Sequence, residues 1–254
     1  MGKATKEKLA RFYCVSLLGC AIVFLVNACV SQEERKTLAE QYIELGNSYM
    51  ELKKYDKAAT AYSRALELDS ENLGGAYNYA RALIETGKHD DAINILKKLI
   101  KQEPENILFL TVLAYAYYKA GRNEEAIITY SKVVKLRYDD ETSTANLCIL
   151  LENASRYEEA VPYYQLLIEI SSNPDVYRLK LGELFYKLNK IDEAHAELEK
   201  YISAKPDDGV GVKLYVKILE KQGKLDDARA RIEAYVLKVQ TDPEALFLYA
   251  KLQF

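Results

Sequence analysis

The sequence predicts an all-α chain made of six tandem helix pairs, and three observations predict it. Proline and glycine are scarce, five and eleven in 254 residues, while Ala, Leu, Glu and Lys abound, a composition that favours helix. One 34-residue pattern returns six times. Its register runs from Ala39 to Asp242 without an insertion or deletion.

Bulk composition narrows the function classes. Hydrophobic residues make up 49% and charged residues 29%, which excludes both a disordered tail and a polytopic membrane protein. Thirty-five basic against thirty-eight acidic residues leave a net charge of −3, so no nucleic-acid partner is expected.

The first element is not part of the repeats. Lys3, Lys6, Lys8 and Arg11 make a basic start, and an uncharged run follows from Phe12 to Val30. This is the layout of an export signal or membrane anchor, with everything after it on the far side of the membrane. Without residues 1–29, four basic and one acidic fewer, the balance becomes −6. Leu25-Val26-Asn27-Ala28-Cys29 resembles a bacterial lipobox, in which the cysteine is lipidated and becomes the new N-terminus. Residues 1–28 are then a signal peptide, Cys29 is the lipidation site, and 29–38 hold the lipid anchor and the start of the first helix. Leu17-Leu18-Gly19-Cys20 is a rival match that would leave an apolar segment on the mature chain. The third reading is an uncleaved anchor reaching residue 30, close to the roughly 20 residues that span a bilayer. Of the four cysteines only Cys148 remains, as a small buried residue rather than a reactive thiol.

The repeats follow as units 39–72, 73–106, 107–140, 141–174, 175–208 and 209–242. Ala58, Ala92, Ala126, Ala160, Ala194 and Ala228 form an invariant column. Gly46, Ala80, Ala114, Cys148, Gly182 and Val216 form a column of mostly small residues, preceded each time by a large one (Leu45, Tyr79, Leu113, Leu147, Leu181, Tyr215). Tyr62, Leu96, Tyr130, Tyr164, Leu198 and Ile232 make a further large column. Large residues three and four apart give each helix one apolar face, and the small column lets the second helix of a pair approach the first. A turn is expected near Lys53, Gly87, Gly121, Ser155, Asn189 and Gly223. Three residues later comes an acid each time, suited to the positive end of the next helix (Asp56, Asp90, Glu124, Glu158, Asp192, Asp226). Pro162 falls early in a second helix, and Asp242-Pro243 opens a capping helix over 243–254. One continuous domain is expected.

This pattern resembles the tetratricopeptide repeat (TPR) family. In the first unit Tyr42, Leu45-Gly46, Tyr49, Ala58 and Tyr62 stand in the family's order and spacing, and Ser172 and Gln240 depart from it where Pro is usual. The resemblance implies a right-handed α-solenoid with a groove lined by the first helix of each pair. Carried onto this chain, it puts Glu40, Glu44, Asn47 and Glu51 in the groove, then Tyr77, Asn78, Arg81 and Glu85, then Thr111, Tyr115, Tyr118 and Asn146. Lys180, Glu183, Tyr186, Lys187, Lys213, Lys217 and Lys221 follow. Such a groove runs from acidic through aromatic and amide to basic, and suits an extended peptide of complementary charge. The family's carboxylate clamp is not expected, because Ile43, Leu108 and Val112 stand where Lys or Arg is needed.

Catalysis has little support. The two histidines, His89 and His195, lie in different units, and no zinc spacing, phosphate loop or nucleophile elbow is present. No metal, cofactor or small-molecule substrate is expected. The sequence therefore suggests a non-catalytic, lipid-anchored scaffold in a bacterial cell-envelope assembly, facing the periplasm, with the outer membrane favoured by Val30 after Cys29. Its partners are envelope proteins bound through the groove, and the membrane bound through lipid on Cys29. Six repeats behind a lipoprotein signal also resemble the pilotins of type IV pilus secretins. A periplasmic chaperone and an accessory subunit of an envelope enzyme or transporter are the alternatives.

Overall fold

The computed structural model describes residues 32–253, which form thirteen α-helices and no strand. The apolar run, Cys29 and the rival Cys20 lie outside the described residues. Helix α1 covers 32–51 and pairs with α2 (Tyr55–Leu68). The next pair is α3 (Leu73–Glu85) with α4 (His89–Gln102), and α5 (Ile107–Lys119) and α6 (Asn123–Leu136) follow in the chain. Then come α7 (Glu141–Asn153) with α8 (Tyr157–Ile170), and α9 (Pro174–Lys187) with α10 (Ile191–Ala204). Helix α11 (Gly209–Lys221) pairs with α12 (Leu225–Lys238), and α13 (Pro243–Leu252) ends the series. No described helix is long and apolar enough to cross a membrane.

Local chemistry sets the boundaries. A column of caps that the sequence reading found only at Asp242 starts the first helices. Asn72, Asn106, Asp140, Asp208 and Asp242 each accept from the amide three residues on, at 2.8, 3.3, 3.0, 2.7 and 3.1 Å. In the fifth unit Pro174 takes the column's place, and α9 begins at that proline behind Asn173. All six expected turn residues have left-handed backbone: Lys53, Ser155 and Asn189 at φ 55, 57 and 57°, Gly87, Gly121 and Gly223 at 81, 73 and 74°. The closing hydrogen bonds show why. At the second pair Gly87 N–H reaches Ile84 C=O (3.1 Å) and Lys88 N–H reaches Leu83 C=O (2.9 Å), which only a left-handed residue permits. The expected acids all sit in the first turn of the second helix.

The columns form the core. All six column alanines are 0% exposed, so no larger residue fits there. A Cβ on Gly182 would stand 1.5 Å from Leu198 Cδ2, and one on Gly46 2.5 Å from Tyr62 Cε1. Cys148 is 0% exposed, and burial pushes its thiol pKa well above the ordinary range, so it is a packing residue. Pro162 is the sixth residue of α8, deeper than a first-turn proline. It leaves the Glu158 carbonyl without its amide donor, yet the helix continues.

By packing, the chain divides into one compact unit ending at Ala120 and another beginning at Gly121. The sequence register alone suggested a single domain. Repeats touch only their neighbours, so an unbroken register does not require one shared core. In the first unit α2 packs on α3, α3 on α4, and α5 on both α3 and α4. In the second, consecutive helices pack in order, and α11 also touches α9 and α13. First helices therefore lie side by side within each unit. The capping helix α13 covers α12 but leaves its own Leu246 and Phe247 42% and 69% exposed.

Candidate functional site

In the first unit the structure gathers four of the expected groove residues. Asn47 on α1 accepts at Oδ1 from the Tyr62 hydroxyl (2.7 Å) and from Asn78 Nδ2 on α3 (3.2 Å). Arg81 donates to Asn78 Oδ1 (3.5 Å) and lies 5.7 Å from the centroid of the Tyr77 ring. Tyr77 in turn meets Phe109 of α5 at 5.6 Å in a tilted contact. Burial raises the Tyr62 pKa, with the Arg81 charge opposing, so the phenol stays a donor and fixes Asn47.

Beside this cluster is a cavity of about 540 Å³ lined by Asn47, Met50, Glu51, Tyr55, Tyr62, Arg81 and Glu85. Glu51 and Glu85 make no ion pair among the described residues, nor do Glu40 and Glu44 on α1. Amide, guanidinium, carboxylate and aromatic faces thus converge on one hollow. Tyr115 stands on α5 with Lys119 5.9 Å from its ring, and Tyr118 is 44% exposed.

The second unit differs. Asn146 donates to the buried Tyr130 hydroxyl (3.3 Å), which makes it a support for the core. The expected basic residues are matched locally. Lys180 pairs with Glu183 (2.9 Å), Lys187 with Glu152 (3.8 Å), and Lys217 with Glu244 (3.4 Å). Lys213 meets both Asp242 (3.1 Å) and Glu244 (2.9 Å), and Lys221 lies 4.7 Å from the Tyr186 ring. Glu152 also accepts from the Tyr164 hydroxyl, whose pKa is raised by burial and by that bond. Glu141 accepts from Ser171 (2.8 Å) and Tyr177 (2.9 Å), and burial with that bond pushes Tyr177 up to about 12.

Glu141 and Glu152 escaped the sequence reading. Charge counted along one helix does not show which carboxylate meets a hydroxyl thirty residues away. A cavity of about 470 Å³ around His195 is a second feature it missed. His195 takes a position held elsewhere by Ala59, Ile93, Ile127 and Val161, and its Nε2 lies 3.1 Å from the Tyr215 hydroxyl. No group of His, Cys, Asp and Glu among the described residues is arranged to hold a metal.

Two sequence families match parts of the chain. Residues 33–144 match the TPR domain of cytochrome c-type biogenesis protein H, and residues 177–208 match a tetratricopeptide repeat. This is a tetratricopeptide-repeat protein. Solved structures agree on the fold. A TPR protein from Parabacteroides merdae superposes with a TM-score of 0.60 at 19% identity, over 85% of this chain and 86% of that one. YrrB, described as a TPR protein with an unusual peptide-binding site, gives 0.58 at 21% identity over 71% and 93%. PilF of Pseudomonas aeruginosa gives 0.55 at 17% identity over 87% and 98%. No curated protein matches the sequence. The fold is that of a protein-interaction scaffold.

Proposed function

We propose that this TPR protein is a non-catalytic, lipid-anchored scaffold that docks a partner protein in a bacterial cell-envelope assembly, facing the periplasm. The observation that carries the docking role is the first-unit cluster. Asn47 and Asn78 are fixed beside an open cavity whose carboxylates make no ion pair among the described residues. Side-chain amides read an extended backbone, and unpaired Glu51 and Glu85 favour a segment bearing Lys or Arg. The anchor rests on the lipobox-like Cys29. Helix is already present at residue 32, so the body starts close to that cysteine. Residues 32–38 are helical and rise only about 1.5 Å each, so the tether is much shorter than the roughly 35 Å that ten extended residues would span.

The test uses full-length protein in its own membranes. Arg81→Ala combined with Glu85→Gln removes the exposed guanidinium and one carboxylate charge of the cavity. Partner capture should fall about tenfold, equivalent to roughly 1.4 kcal/mol. Unchanged capture would remove the first-unit site from the reading. Labelled palmitate should enter the native protein and be lost in Cys29→Ser, and label retained there would move the anchor to Cys20.

The match of residues 33–144 favours a second reading of the pathway, in which the partner belongs to the machinery that assembles c-type cytochromes. Deleting the chain should then lower haem-stained c-type cytochromes in membranes, and normal levels would leave the general scaffold reading alone.

A further inference from the structure

The cavity of about 470 Å³ around His195 lies wholly in the second unit, between the second helices α10 and α12, and shares no residue with the docking cluster. Its floor is Tyr215 and Leu219 of α11, both buried. The repeat itself does not call for a polar floor. At the positions of His195 and Tyr215, earlier repeats carry aliphatic pairs: Ile93 with Leu113, Ile127 with Leu147, and Val161 with Leu181. Here two polar rings stand instead, with His195 Nε2 3.1 Å from the Tyr215 hydroxyl.

A second cavity in the same unit provides an internal control. Ile127, Ser131, Leu151, Arg156, Glu159 and Tyr163 line a hollow of about 410 Å³. They stand two repeats before His195, Glu199, Leu219, Lys224, Asp227 and Arg231 respectively, all of which line the first. In the earlier hollow the charges satisfy one another. Arg156 donates twice to Glu159, at 2.7 Å each, and once to Glu124 at 3.0 Å. Around His195 they do not. Glu199, Lys224, Asp227 and Arg231 make no ion pair and no side-chain hydrogen bond among the described residues. They do converge on one point: after burial, Glu199 raises the Tyr215 pKa, with Arg231 opposing and Asp227 adding to the rise. Ala234 makes room, because that position carries Arg64, Lys98, Lys132, Leu166 or Lys200 in the earlier second helices.

Two cations and two carboxylates therefore face one open hollow, and its volume falls within the roughly 300–1,000 Å³ of small-molecule sites. A ligand of one sign would meet two opposing charges and two like ones, whereas a molecule bearing both signs can match all four. We infer that this hollow binds a small zwitterion, its carboxylate held by Arg231 and Lys224 and its ammonium by Glu199 and Asp227. The Tyr215 hydroxyl and the His195 ring remain for a polar group between them. Free amino acids and short peptides both carry that chemistry. Because Glu199 belongs to α10 and the other three charges to α12, the bound molecule ties two neighbouring helix pairs together. A ligand held only by the folded chain also raises its melting temperature.

Equilibrium dialysis of the full-length protein in detergent micelles tests this, with each common amino acid, and its dipeptide with glycine, as labelled probes. At least one probe should bind and raise the thermal midpoint, and the tighter series identifies the source. The N-acetyl and carboxamide forms of that probe should each bind about tenfold more weakly, as should the probe itself to Arg231→Ala. His195→Val, which restores the aliphatic character of the repeat, should also weaken binding. Lys135→Ala, in the control hollow, should not. Helical circular dichroism should be the same for all three variants. No binding by any probe would overturn the inference. So would blocked forms that bind as well as the parent, or binding undiminished in both Arg231→Ala and His195→Val.

Discussion

The two compact units carry the same core and opposite electrostatics. In the first, Glu40, Glu44, Glu51 and Glu85 line the first helices without ion pairs among the described residues, and Arg81 is held by Tyr77 and Asn78. In the second, Lys180, Lys187, Lys213 and Lys217 each face a carboxylate. The charged residues that suggested a basic end are therefore largely neutralised by their own chain. Side chains already satisfied gain little from a ligand, and unpaired ones gain more. The lesson is that charge read off a helix face counts residues, whereas recognition depends on which of them are still available.

Four measurements would break or sharpen that contrast, starting with the one that tests what the units share. Leu96→Ala and Leu198→Ala delete equivalent residues, both 0% exposed, one in each unit. Each should destabilise by about 2–5 kcal/mol in urea unfolding, and a marked inequality would mean the cores are not equivalent. Next, Glu51→Gln with Glu85→Gln should weaken partner capture about tenfold and reduce its salt sensitivity, whereas Lys187→Ala with Lys217→Ala should stay within about twofold. Equal losses would erase the contrast.

The third concerns acid. Burial alone would raise the Asp140 carboxyl pKa, but the Ser143 amide, Arg137 and the Ser143 hydroxyl outweigh it and the pKa is lowered. The Ala245 amide, followed by Lys213, lowers that of Asp242. Folded pKa values below the unfolded ones stabilise fully above the ordinary carboxylate range, and that stability is lost as pH falls through the folded values. Asp140→Ala should therefore cost about 1–2 kcal/mol at neutral pH, with the penalty shrinking in thermal melts taken at progressively lower pH. A pH-independent penalty would contradict the capping role. The smallest effect is at the turns. Ser155→Gly relieves a non-glycine residue at φ 57° and should raise stability by about 0.5 kcal/mol, the left-handed gain outweighing glycine's added chain entropy.

Much of the fold was legible in the chain. The alanine column, the small column and the six turn positions are spaced by an uninterrupted 34-residue register, and the structure buries or bends each as that spacing requires. The caps at Asn72, Asn106, Asp140 and Asp208 were equally periodic, but only the Asp242-Pro243 pair stood out as a helix start. The site was less legible. Asn47 and Asn146 look alike in sequence, both on first helices with a Tyr fifteen or sixteen residues away. Both tyrosines are buried, but Asn47 is exposed beside an open cavity whereas Asn146 is half-buried against Tyr130. Burial, and with it the difference between a binding group and a core partner, is set by neighbours from other helices.

The most direct test places a photoreactive residue at Tyr77 in the first unit and, separately, at Tyr186 in the second, in full-length protein within its own membranes. Adducts with a partner protein from position 77 and none from position 186 are the predicted result. Adducts from position 186 with none from 77 would contradict the assignment of docking to the unpaired, first-unit face.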